Sequence, residues 1–338
     1  MPDPLRSPAA DDARHAEEAF ADALHRAGLR LSGPPVMDGT WRRAAAEGDK
    51  GWRKSARYRG FLDGRPAGFI QNFRTGYAEP WVSDREMPPL TFAERARIER
   101  ERELRAVERA HDQAHAEREA YIAWMRGSAT SDDHQYLLKK GVKSHGLKVD
   151  ARGRLLLPAR DATGWLGSVQ TIDADGAKLF PEGGRKTGLS VPIGPVASRR
   201  PLLIAEGYAT AATLHEATGL PCLAAFDAGN LLPVALAWRE KHPHRRMVIA
   251  GDDDHQLRHR DSPLPNVGAE KAHEAAEAIA AALLLPEFVQ SDGGLSDWQD
   301  WAERHGRESL ADLVFDAVRE APAERQRERV VHATARTR

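Results

Sequence analysis

Cysteine is nearly missing from this chain. Cys222 is the single one in 338 residues, which excludes an internal disulfide and a cysteine-rich zinc ribbon. Long apolar runs are missing too. No stretch of ~18 apolar residues occurs, so nothing is suited to cross a bilayer as a helix. The opening MPDPLRSPAADDARHAEEAF lacks the apolar core of a secretory signal, and a cytoplasmic location is expected. A nucleotide-motor loop is also absent. Gly183-Gly-Arg-Lys-Thr187 hints at one, but Arg185 breaks the G-x-x-x-x-G-K-[ST] spacing, so no fused helicase motor is expected. His111 and His115 sit in a charged helix with Asp112 where a zinc-protease helix carries Glu, and a solvated face is the better reading.

Net charge is scarce as well, at −1, but its distribution is uneven. Residues 40–77 hold nine Lys/Arg and three acids, and residues 139–190 hold ten and five. Residues 197–320 hold twelve Lys/Arg and twenty acids. Basic segments followed by an acidic one suit a protein that grips phosphates with one surface and metal ions with another.

The pattern along the chain predicts an α/β protein in five parts. Residues 1–87 form an N-terminal α+β module, with an amphipathic helix over 11–29 and short strands flanking the Asp63-Gly64 turn. Pro88-Pro89 opens a charged helical linker, 88–127, whose thin apolar stripe suggests a solvated spacer. Residues 128–198 form a β-rich basic subdomain with strands over 154–158 and 167–172. Residues 199–321 alternate short apolar strands (202–205, 223–226, 247–250) with helices (209–218, 231–241, 269–285). This alternation implies a mostly parallel sheet with helices on both faces. The polar, basic tail 322–338 is expected to be disordered.

In such open sheets chemistry gathers at the carboxyl edge of the strands. Two strand ends here carry acids: Ala205-Glu-Gly207 and Ala250-Gly-Asp-Asp-Asp254. Alternate residues of an extended segment share a face, so Asp252 and Asp254 point together and Asp253 away. With Glu206 from the neighbouring strand, three carboxylates converge. Such a group repels itself unless neutralised, and a divalent cation with phosphate-accepting open positions is the natural remedy. Gly207 and Gly251 are expected to let a phosphate or metal approach the backbone. Asp227 ends the second strand and either fixes its loop or lines the site. His255 either contacts a phosphate or sits in an exposed loop.

These residues resemble the Toprim signature of bacterial-type primases, topoisomerases and some nucleases. Its Glu after the first strand and Asp-x-Asp after the third correspond to Glu206, Asp252 and Asp254. The segments Ile204-Ala-Glu-Gly-Tyr-Ala-Thr-Ala-Ala-Thr-Leu214, Ala225-Phe-Asp-Ala-Gly-Asn-Leu231, Ile249-Ala-Gly-Asp-Asp-Asp-His255 and Asn266-Val-Gly-Ala-Glu-Lys-Ala272 are more similar still to primases of plasmids and mobile elements. Ser296-Asp-Trp-Gln-Asp300 resembles the late acidic motif of that group, with Gln299 in place of Asn, and His134-Gln-Tyr-Leu-Leu-Lys-Lys-Gly-Val142 its entry motif. The resemblance implies a Rossmann-like Toprim domain over 199–321 behind a primase-core subdomain. It implies Mg2+ or Mn2+ on Glu206, Asp252 and Asp254, and phosphate contacts from Lys178, Arg185 and Lys186. It adds Asp227, Asn230, His255, Asp297 and Asp300 as site-lining candidates.

The implied activity is synthesis of short RNA primers from ribonucleoside triphosphates on a single-stranded DNA template, with a separate replicative helicase as partner and no membrane. The rival readings are a Toprim nuclease and a non-catalytic single-stranded-DNA-binding accessory protein. Many primases read their template with a zinc ribbon, which one cysteine cannot build, so no zinc is expected. In its place stands the 40–81 segment, where Trp41, Trp52, Tyr58, Phe61, Phe73 and Trp81 alternate with cations, Arg53, Lys54 and Arg57 among them. With Trp41, these three cations are the candidate strand contacts. The aromatics either stack on bases or form a small domain's own core.

Overall fold

The computed structural model describes residues 8–50, 54–62, 65–84, 92–253, 266–288 and 295–321. Trp52, Arg53, the Asp63-Gly64 turn, Pro88-Pro89, Asp254, His255 and the tail after 321 lie outside the described residues. The chain divides into two compact units, Met1–Glu108 and Arg109–Arg338. No helix among the described residues is long and apolar enough to cross a membrane.

The first unit is a helix on a five-stranded antiparallel meander. Helix α1 (Pro8–Arg26) is followed by β1 (Leu29–Arg30), β2 (Arg42–Ala46), β3 (Ala56–Phe61), β4 (Ala67–Asn72) and β5 (Tyr77–Val82), paired in chain order. Period-two alternation sorts the sheet's residues. Ala44, Ala46, Ala56, Tyr58 and Ile70 face α1 and are buried with its Phe20 and Leu24. Gly60 and Gly68 are register partners. A Cβ at either would come within 2.9 Å or 2.7 Å of the Phe20 ring, so the pair makes the slot that ring occupies. Trp81 tilts against the same ring at 4.7 Å between centroids.

Helix α2 (Phe92–Arg126) begins in the first unit and ends in the second. Its final turns bury Ala120 and lay Trp124 against Leu156, Leu166 and Val169, so this end of the helix is packed while its charged middle is exposed. The sheet beneath is antiparallel, in the order β10 (Lys178–Leu179), β9 (Leu166–Ile172), β8 (Leu155–Arg160), β7 (Lys148–Val149), β6 (Ser128–Ala129). The short helix α3 (Gln135–Lys140) lies between β6 and β7 in sequence.

The remainder is the expected mostly parallel α/β arrangement. Strands β12 (Leu202–Ala205), β13 (Cys222–Ala224), β14 (Met247–Ala250) and β15 (Ala282–Leu284) run parallel, and β11 (Val191–Ile193) closes one edge antiparallel to β13. The order is β11-β13-β12-β14-β15. Every residue of β12, β13 and β14 is buried, because helices cover both faces. Helices α4 (Tyr208–Thr218), α7 (Trp298–His305) and α8 (Arg307–Glu320) pack on one face, and α5 (Leu231–Lys241) and α6 (Val267–Ala278) on the other. Helix α4 packs on β12 and β13 and against α7 and α8, with α8 reaching β15, and Tyr208 through Leu214 are all buried.

One element departs from expectation. The helix predicted over 269–285 stops at Ala278, and its last residues are strand β15. The run is Ala- and Leu-rich and favours helix throughout. No Gly or Pro marks the break, which falls at Ala280 in a left-handed conformation (φ 48°).

Candidate active site

The register of the parallel strands builds the site. Ala205 pairs with both Ala224 and Ala250, so the chains following β12, β13 and β14 leave the sheet level with one another. Neighbouring strands lie ~4.7–4.9 Å apart. Glu206 therefore stands beside Gly251-Asp252, with Asp227 beyond the third strand end.

The Glu206 carboxylate and the Asp252 main-chain carbonyl both lie over the first turn of α6. A Cβ at Gly268 would fall 2.9 Å from the Asp252 carbonyl oxygen and 3.7 Å from Glu206 Oε2, so both groups crowd the space that glycine leaves. From the other side, Thr210 in the first turn of α4 donates its hydroxyl to Asp252 Oδ1 at 3.4 Å. The amino ends of two helices thus face the crevice, and their positive dipole ends favour carboxylates and phosphates there.

Asp253 is tied to the start of α6. It accepts a hydrogen bond from Asn266 Nδ2, and Asn266 caps α6 by accepting from the Ala269 amide at 3.2 Å. Asp254 and His255 lie outside the described residues. Among the described residues no three His, Cys, Asp or Glu groups cluster as metal ligands. Two hard oxygen donors fit a magnesium-like ion, which is commonly held through one or two carboxylates with water and substrate phosphates completing its shell.

The two glycines differ in role. Gly207 has only Thr210 Oγ1 near the position of a Cβ, at 3.9 Å, and is open as expected. Gly251 is not a site of phosphate approach. A Cβ there would meet Ala272 Cβ at 2.5 Å and Leu285 Cδ2 at 2.8 Å, so close packing of α6 demands the glycine.

The late acidic motif braces the acidic loop. Trp298, fully buried, donates its indole N–H to the Gly251 carbonyl at 2.9 Å. The Asp253 amide donates to the Ser296 carbonyl at 2.8 Å. Asp297 and Asp300 form a capping box on α7, and Asp297 also lies 3.4 Å from Lys140 Nζ. Among the described residues their partners are backbone amides and this lysine, so the motif's link to the crevice runs through Trp298 and the loop backbone.

The basic residues fall into three settings. Lys186 is ion-paired with Asp227. Its loop is stapled to the β13 end by Asn230, a buried side chain with every bond satisfied. Asn230 Nδ2 donates to the carbonyls of Ala225 (2.8 Å), Leu189 (2.9 Å) and Lys186 (3.2 Å), and Oδ1 accepts from the Gly188 amide at 2.8 Å. Asn230 is therefore a brace for the 186–189 loop. Arg185 lies 3.8 Å from Asp161. Lys178 is exposed on the edge strand β10, opposite Ile172. Nearby, Phe180 packs edge-on against Phe226 at 4.9 Å, and Phe226 holds a left-handed backbone (φ 76°) where the chain turns from β13.

A buried junction fixes the far end of α4. Glu216 accepts from the Lys143 amide (2.7 Å) and Arg307 (2.7 Å) and lies 2.8 Å from His145 Nε2. Burial alone would raise its pKa, but these bonds outweigh it and hold the carboxyl at about 2. Burial pushes the Cys222 thiol well above its ordinary range, so it is no nucleophile. Thr210, Lys140, Trp298 and Glu216 carry no role in the sequence reading. Thr210 had a legible signal, since it lies in the first turn after the Glu-Gly strand end. The other three act through partners far away in sequence.

Residues 201–308 match the Toprim domain family. Over 289 residues the chain is 38% identical to an Escherichia coli protein named DNA primase TraC, a match that covers 82% of this chain and 27% of the relative. A second E. coli protein of that name is 36% identical over 291 residues, covering 81% and 20%. The chain thus spans about a quarter or less of the length of these curated relatives. Among solved structures, the DnaG catalytic core is similar at a TM-score of 0.39 and 12% identity, covering 62% of this chain and 79% of that one. The primase fragment of the bacteriophage T7 primase-helicase protein gives 0.38 and 14%, covering 54% and 75%. The chain therefore carries a Toprim domain, and through most of its length it is related to a segment of the proteins named DNA primase TraC.

Proposed function

We propose that this chain is a primase-type nucleotidyltransferase that makes short RNA primers on single-stranded DNA. The observation that carries the reading is the placement of Glu206 and Asp252 just past level, adjacent parallel strand ends, inside a Toprim domain related to named primases. In this reading Asp252, Asp254 and Glu206 supply the oxygen ligands for Mg2+ or Mn2+. Such ions, when bound, neutralise the triphosphate and stabilise the attacking and leaving oxygens. Glu206 is also the group placed to accept the proton of the attacking 3′-hydroxyl, if it is not itself holding a second ion. As the 3′-oxygen bonds to the α-phosphorus, pyrophosphate leaves.

The chain's remaining contribution is positioning. The Asn230 staple holds Lys186 beside the β13 end, where its exposed pair with Asp227 can open to a phosphate. Arg185 and Lys178 extend the positive side towards the template or nucleotide. Asp297 and Asp300 keep α7 in place, so Trp298 keeps the acidic loop in place. Zinc has no part in this reading, which places the chain in the cytoplasm beside a separate helicase.

The test is incorporation of labelled ribonucleotides on random single-stranded templates with magnesium or manganese. Wild-type chain yields short RNA, and Asp252→Ala abolishes it. RNA synthesis that survives this substitution overturns the site. Template hydrolysis without nucleotides, lost in the same variant, identifies a nuclease instead.

A further inference from the structure

The first unit carries a face that this chemistry does not use. Alternation sends Arg57, Arg59 and Phe61 of β3 away from the core that takes Ala56, Tyr58 and Gly60. Register places Arg43 beside Arg57, Arg57 beside Gln71, and Arg59 beside Phe69. Trp41, just before β2, and Phe73, just after β4, are 41% and 48% exposed.

The cations lie on the rings. Arg57 sits 4.2 Å over Trp41 and 5.5 Å over Phe73. Arg59 sits 5.0 Å over Trp41 and 5.1 Å over Phe61. Arg43 lies 5.5 Å over Phe73. Among the described residues, neither Arg43 nor Arg59 has an acidic partner, whereas neighbouring Arg42 is paired with Asp38 at 2.6 Å. Arg43 makes one long bond, 3.4 Å, to the Lys54 carbonyl. Arg59 Nε is buried with no partner.

We propose that this face binds single-stranded DNA. The Arg43 and Arg59 guanidinium groups, stacked on rings and without an acidic partner among the described residues, offer N–H groups that suit a phosphate oxygen, while Arg57 Nε is bonded to Gln71 Oε1 at 2.8 Å. Exposed rings accept unpaired bases through their faces. An acidic peptide would use the charge but leave the rings without a role. Duplex DNA keeps its bases stacked on each other and offers them none. The inference rests on the proposed function only for the choice of DNA over RNA. It revises the candidate set as well: Arg43, Arg59 and Phe73 join Trp41 and Arg57, Lys54 contributes its carbonyl, and Arg53 lies outside the described residues.

The experiment is anisotropy of a labelled oligo(dT) with the full chain, without nucleotides or divalent metal, across a salt series. Trp41→Ala and Phe73→Ala are each expected to weaken binding about tenfold, a typical loss for one stacked base. The Arg43→Ala/Arg59→Ala double variant is expected to flatten the salt slope by roughly 1.4, at about 0.7 per phosphate on a single strand. Arg43→Lys/Arg59→Lys is expected to restore the slope but only part of the affinity, since lysine keeps the charge and not the planar fork. Folding of each variant is checked by circular dichroism. Should Trp41→Ala not fold, exposed Phe73→Ala and the arginine pair still decide.

Folded variants that bind oligo(dT) like wild type overturn the proposal. So does displacement of oligo(dT) by duplex, oligo(U) or a poly-glutamate peptide as readily as by unlabelled oligo(dT). Because the readout is binding, a chain that fails to make primers yet shows these losses leaves this face standing and sinks only the proposed function.

Discussion

The strand-end crevice and the open face of the N-terminal sheet place charged groups by opposite means. In the crevice, position comes from a fully buried parallel sheet. Ala205 is aligned with Ala250, α6 approaches closely enough to require Gly251 and Gly268, and Trp298 holds the loop by its carbonyl. On the N-terminal sheet, position comes from pleat alternation and cation–ring contacts at a surface. The first arrangement fixes few groups tightly, as phosphoryl transfer demands. The second presents several adaptable groups, as sequence-tolerant binding demands. A rigid site should fail steeply when one group is lost, whereas a tolerant surface should fail in increments.

The sharpest break of that comparison is to cross the two losses. Asp252→Ala should reduce ribonucleotide incorporation by about a thousandfold or more, the scale on which one preorganised electrostatic group acts. Trp41→Ala should cost about tenfold in DNA affinity. Equal, modest losses from both would erase the distinction.

Next in size is the junction at Glu216, which anchors the helix that starts beside Glu206. Glu216→Ala should destabilise the second unit by about 3 kcal/mol, because the bonds that Lys143, His145 and Arg307 make to one buried carboxylate are lost together. The pH dependence has a definite sign. The folded carboxyl, at about 2, lies below the ordinary 4.5, so its stabilisation is present above pH 4.5 and fades as pH falls towards 2. Thermal melts of wild type and variant should therefore differ at pH 7 and converge in acid. A constant gap would mean that the carboxylate charge is irrelevant.

Smaller again is Asn230→Ala, expected to cost about 1–3 kcal/mol in stability by leaving its partners unsatisfied. Its kinetic signature is a raised nucleotide KM, since the loop carrying Lys186 is freed. A melt lowered without any change in KM would leave Asn230 as a purely structural brace and remove Lys186 from the site.

Much of this was readable beforehand, for physical reasons. Acids directly after short apolar strands in a β-α-β pattern are placed at one edge by topology, so Glu206 and Asp252 were legible together. The alternation of Arg57, Tyr58 and Arg59 is equally legible in the sequence. It separates core rings from surface rings, which composition alone does not do. What escaped depended on long-range partners or on silent breaks. Strand β15 hid in a helix-favouring run because Ala280 adopts its turn without a marker residue. Asn230 had no local signal, since three of its four bonds reach residues more than 40 positions away. Gly251 looked like a phosphate contact because sequence cannot show that Ala272 and Leu285 crowd it.

The central claim is that Glu206 and Asp252 jointly hold divalent cations, and manganese binding followed by electron paramagnetic resonance tests it most directly. Titration of the full chain should show bound Mn2+ that disappears in both Glu206→Gln and Asp252→Asn, each confirmed as folded. Undiminished Mn2+ binding in the two variants would contradict the account.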